Sequence, residues 1–120
     1  MRTLETVLFT TLGPIVSGRC HPVVIPQDAS FPCIRYATAS TRMEDSLCGN
    51  SGLVRSSVQI DIYAQNFSEV RSLRESVLAA MLAFPAPFAT LLTMEQDAFE
   101  SDVKLFRRMM QFSIAEQEGA

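Results

Sequence analysis

The stretch LVRSSVQIDIYA, residues 53–64, decides the fold. In an extended chain Val54, Ser56, Val58, Ile60 and Ile62 fall on one side, and Arg55, Ser57, Gln59, Asp61 and Tyr63 on the other. That period of two marks a strand with one face in a core and the other in water. Just upstream, residues 33–42 are β-favouring, with Ile34, Tyr36 and Thr38 opposed to Arg35 and Ala37. The polar, glycine-bearing residues 43–52 between the two strands read as the tip of a long hairpin. Downstream, NFSE at 66–69 has the form of a capping box, with Asn66 accepting a backbone N–H and Glu69 reaching back. It opens a helix whose buried stripe is Val70, Leu73, Val77, Ala80, Met81 and Phe84, with Arg71 and Glu75 placed to pair on the outside. The helix stops before Pro85.

Outward from this centre, residues 90–100 form a third strand, 101–104 a polar turn and 105–115 a fourth strand. Alternation places Phe106, Arg108, Met110, Phe112 and Ile114 on one face of the fourth strand and Arg107, Gln111 and Ser113 on the other. Toward the N-terminus, Leu4, Val7, Leu8, Thr11, Leu12 and Ile15 recur at helical steps, which predicts a helix over 3–13 capped by Thr3 and ended by Gly13 and Pro14. A long proline-rich connection, 17–32, follows, with an extended piece at 23–25. Residues 116–120 are expected to fray. The expected architecture is a single α+β domain over 1–120 in the order α-β-β-α-β-β. Its four-stranded antiparallel sheet packs both helices on one face.

The composition narrows the function. With 120 residues, 48% of them apolar and 19% charged, the chain can bury one core unaided. A net charge of −3 and a pI near 5.0 deny it the positive field that unaided nucleic-acid binding needs. The apolar run at 7–16 is broken by Thr10, Thr11, Gly13 and Pro14 and fits neither a membrane span nor a leader. Three cysteines, Cys20, Cys33 and Cys48, are too few for a disulfide framework and point to a reducing compartment.

Motifs for chemistry are weak. CGNSG at 48–52 superficially resembles a serine nucleophile loop, but the single histidine, His21, sits in the proline-rich connection, and glycine-rich hairpin chemistry accounts for the stretch. The cysteines and His21 lack zinc-knuckle spacing, and Glu44, Asp45, Glu95, Asp97, Glu100 and Asp102 lack calcium-loop spacing. Phosphate-cradling and dinucleotide signatures are missing as well. The expectation is a non-enzyme with no catalytic residue, cofactor or metal. Arg107 and Arg108, on opposite faces, are expected to meet acidic groups on a neighbouring strand or subunit.

VIPQ at 24–27, FPCIRY at 31–36, residues 47–53 and VQIDIYA at 58–64 stand in a recognisable order. With the two helices and the closing LFRR at 105–108 and FSI at 112–114, they resemble the tail-completion or tail-terminator proteins of long-tailed bacteriophages and prophages. The resemblance spans nearly the full chain. It implies a structural protein made in the host bacterial cytoplasm and carried at the head-proximal end of the virion tail. Such proteins form a ring there, commonly sixfold, that stops tube polymerisation and joins tail to head. The implied partners are further copies of the chain, the tail tube protein and the head completion or connector protein. Genomic DNA would pass through the lumen without specific binding, and no membrane is involved. Candidate interface residues are then Arg42, Glu44, Asp45 and Asn50 at the hairpin tip, with Gln59, Asp61 and Arg107 near a subunit contact. Two rivals are a ligand-binding or regulatory module on the open sheet face and a small hydrolase around His21 or Ser51.

Overall fold

The computed structural model describes residues 3–46, 49–86 and 88–117; for 42–46, 49–53 and 117 the description is of the backbone. The elements run α1 (Leu4–Leu12), a single 3-10 turn (Gly13–Val16), β1 (Cys20–Pro22), β2 (Cys33–Ser46), β3 (Gly49–Ala64), α2 (Phe67–Leu82), β4 (Phe88–Glu100) and β5 (Leu105–Gln117). The strands form one mixed sheet of five, in the spatial order β1-β2-β3-β5-β4. β2 to β5 are antiparallel neighbours, and β1 lies parallel to β2 with Cys20 opposite Ile34 and Pro22 opposite Tyr36.

The α+β class, the two helices and the antiparallel four strands agree with the sequence. The four-stranded count does not, because β1 adds a fifth, parallel strand. Three residues are too short to show a period, and their partners lie fourteen residues further along the chain. The extended piece expected at 23–25 therefore stands three residues late. The hairpin tip expected over 43–52 also shrinks: Asp45 pairs with Asn50 and Ser46 with Gly49, leaving only 47–48, which lie outside the described residues. A ladder needs backbone partners rather than apolar side chains, so polar composition did not end it. Likewise Glu116 and Gln117, expected to fray, pair with Val54 and Leu53 in β5; 118–120 lie outside the described residues.

The helices begin where their caps place them. The Thr3 side chain accepts from the Thr6 N–H, and the Asn66 side chain accepts from the Glu69 N–H at 2.8 Å. Val7, Leu8 and Leu12 of α1 and Val77 and Met81 of α2 close on Ile34, Tyr36, Val58, Ile60, Ile62, Met110, Phe112 and Ile114. These strand residues are the alternating apolar set, so one sheet face carries the core and the opposite face stays open. The molecule measures 52 × 25 × 25 Å. The sixteen residues of β3 span about 50 Å at 3.3 Å each, so this one strand accounts for the long axis.

Candidate assembly surfaces

The open face is organised around Asp61. Its side chain is 0% exposed, a rare state for a carboxylate, and it is matched by donors from three strands. Arg35 on β2 donates from Nε and Nη2 at 3.1 and 2.7 Å to one carboxylate oxygen. Arg107 on β5 donates from Nε at 3.0 Å to the other, and the Gln59 amide donates from two residues away on β3. Arg107 also reaches Glu100 at 3.1 Å and lies 6.0 Å from the centre of the Tyr63 ring. Burial first, then the Asp61 charge, pushes the Tyr63 hydroxyl up from its ordinary value. The structure thus brings together Gln59, Asp61 and Arg107, three of the seven sequence-picked positions, inside one chain. Arg35, absent from that selection, is the fourth member. Its register opposite Asp61 is the signal that could have found it.

Arg35 has a second task. Its Nη1 donates to the Val23 carbonyl at 2.7 Å, while the Val23 N–H donates to Tyr36 and the Val24 N–H to Pro22 at 2.6 Å. Val23 is thereby held at φ 63, a region that a β-branched residue rarely enters, at the centre of a three-residue turn. Val23 and Val24 stand exposed on this turn.

A second ionic group lies on the helix side. Arg74 of α2 grips Glu95 of β4 through Nε and Nη2 at 2.7 and 2.6 Å. Arg108 reaches Glu95 at 3.2 Å and pairs with Asp97 opposite it. Hydrogen bonding from Arg74, then its charge, with help from Arg108, holds the Glu95 carboxyl below its usual range. Arg107 and Arg108 therefore act on opposite faces, each with acids of neighbouring strands. Glu75, expected to pair with Arg71, is met instead by Arg74, its immediate neighbour.

Of the remaining picks, Arg42 lies opposite Arg55, Glu44 opposite Leu53 and Asp45 opposite Asn50 along the β2–β3 ladder. Their side chains lie outside the described residues, as do Cys48 and the side chain of Ser51. Beyond the Asp61 group the open face carries a polar groove of about 520 Å³ lined by Ser40, Ser57, Thr93, Gln111 and Ser113 among others. Gln111 donates to Ser57 at 2.8 Å there, and Arg55 to Ser113 at 3.4 Å. Cys20 and Cys33 are buried free thiols, pushed up by that burial to about 12 and about 11. Among the described residues there is no cluster of three metal-ligating side chains.

The geometry is that of an interlocked scaffold with long strands, and the sequence family agrees with it. A model of the family described as tail completion protein gp17 matches residues 10–117, which takes in the last turn of α1, every strand and α2. The chain belongs to that family. Tail completion proteins are structural parts of phage tails, so membership gives this one a structural role in the virion tail, in contact with other tail or head proteins. A comparison with curated proteins found no match. No helix among the described residues is long and apolar enough to cross a membrane.

Proposed function

We propose that this tail completion protein caps the head-proximal end of the tail tube as a ring, commonly sixfold, which ends tube polymerisation and joins tail to head. The family match over 10–117 carries the reading. The architecture supports it: a protein that works by contact needs rigid strands and preset side chains, and the Asp61 group ties β2, β3 and β5 across the open face. A net charge of −3 suits a ring through which DNA slides, since it gives phosphates little to hold. In this reading the hairpin end, with Arg42, Glu44, Asp45 and Asn50, lines the lumen or meets a partner. Gln59 and Arg107 lie near a subunit contact, where buried Asp61 acts by holding the two arginines in place.

The test is electron microscopy of particles made with this reading frame deleted. Overlong tubes, or finished tails unattached to full heads, rescued by supplying the protein, are the expected outcome; normal tailed particles would refute it. Normal infection by a Glu44→Lys/Asp45→Lys variant would remove the hairpin from the account. The second reading, a ligand-binding module, has the serine-lined groove in its favour. Saturable binding of a small molecule there, with tails unaffected by deletion, would put it first.

A further inference from the structure

The sheet ends in two edges that the described residues leave open. On one side β4 presents all thirteen of its residues. On the other, β1 covers β2 only at 34–36, and no described strand covers 37–46. Unpaired backbone N–H and C=O groups along an edge recruit any available strand, so monomeric proteins shield them with short edges, free charges or proline. β4 lacks these guards. It is long, and it exposes Leu91, Met94 and Phe99 at 64%, 44% and 52%. Its acids are already spent inside the chain: Glu95 on Arg74 and Arg108, Asp97 on Arg108, and Glu100 on Arg107. Its one irregularity, the register shift between Leu92 and Met94, bends the strand and leaves 94–100 as an unbroken run.

We propose that the outer edge of β4 over 94–100 pairs with the uncovered edge of β2 over 37–46 in a second copy of this chain, so that the sheet continues from subunit to subunit. The occupant follows from there being two open edges. A foreign strand would satisfy one and leave the other bare, whereas a head-to-tail contact repeated between copies satisfies both with one interface. Such a contact either closes into a ring or runs on as a filament. The seven-residue run of β4 fits within the ten residues of β2, whose own register shifts, between Thr38 and Ser40 and between Glu44 and Asp45, leave 40–44 regular. The proposal rests on the ring reading above and adds the surfaces that build the ring.

The test is amide hydrogen exchange on the full chain, free and assembled on purified tails. The expected result is that edge amides in 94–100 and 37–46 slow by at least about tenfold on assembly while core amides hardly change. Covalent trapping supplies the second measurement. In a Cys48→Ser background, Ala98→Cys, on the open face, is combined in turn with Ala37→Cys, Ala39→Cys and Ser40→Cys. One combination should yield a ladder of oxidised oligomers beyond the dimer, which no single variant can form. If rings are visible but protection rises only elsewhere, for instance over α1, and all three combinations stay below trimer, the edge proposal fails and the ring reading stands. If β4 is protected by a different tail protein and no ladder forms, the second copy is the wrong occupant. If the protein forms no ring on tails, both proposals fall.

Discussion

Replacing Asp61 by asparagine removes a single charge from a site of unchanged shape. The carboxylate is fully buried and takes donors from Arg35, Arg107 and Gln59. Deleting one member of a buried ion pair costs about 3–5 kcal/mol, because the partner is left with a desolvated charge. Here the two arginine side chains are 24% and 27% exposed and can recover some hydration, which places the expected loss near the lower end, about 3 kcal/mol. With an unfolding entropy of about 2.1 cal/mol/K per residue, that loss lowers the Tm of a chain this size by about 12 °C. The assay is urea unfolding of wild type and Asp61→Asn under identical buffer, with the slope checked for constancy and a thermal scan alongside. Gln59→Leu is the internal control, since it removes one neutral donor to the carboxylate at 3.0 Å, leaves both arginines in place and should cost about 1.5 kcal/mol, the low end for a bond to a charged group. A loss below about 1 kcal/mol for Asp61→Asn would refute the reasoning, because the carboxylate would then be hydrated or the arginines indifferent to it.

The depressed Glu95 carboxyl contributes stability that is fully present above its unfolded value and lost as pH falls through its folded one, so wild type should weaken in acid below about pH 4.5. Glu95→Gln should flatten that slope in urea titrations at about pH 7, 5 and 3.5; an unchanged slope would count against the Arg74 contact. The buried thiols run the other way: with folded values of about 12 and about 11, Cys20 and Cys33 favour the native state below about pH 8.5 and lose that contribution as pH rises toward those values. At about pH 8 both should resist a disulfide reagent until urea is added, as peptide mapping of labelled sites would show; rapid native labelling of either would place it at the surface. Asn66→Ala should cost about 1 kcal/mol by removing the α2 cap, visible as a Tm lower by about 4 °C.

The parts of the fold legible from sequence are those with a local period. The alternation at 53–64 gives β3 and its two faces, and the stripe Val70, Val77, Met81 gives α2 and the side it buries. What the sequence hides is pairing between distant residues. β1 has no period, and the proton donor that Arg35 offers Asp61 depends on a register that no window of residues contains. The site was half legible for the same reason. Asp61 and Gln59 stood out as polar residues on the best strand, and Arg107 as an arginine on the same face, while Arg35 and the Val23 turn depend on β2 being folded back. The acids of β4 form no motif in sequence, because Arg74 reaches Glu95 from another element.

The sheet order has a kinetic side. β2–β3 and β4–β5 are each hairpins of neighbours in the chain, cheap to close. They meet only along β3 and β5, where Leu53 faces Gln117 and Ala64 faces Phe106, with α2 looped between. That seam carries the most distant partners, and among the described residues side-chain bonds cross it on the open face: Arg107 to Asp61, Gln111 to Ser57 and Arg55 to Ser113. Long loops must be closed before such contacts return anything, so joining the two hairpins is the costly step of folding. The polar ladder is then a fastener between two prefabricated halves, and it fixes the register in which they meet.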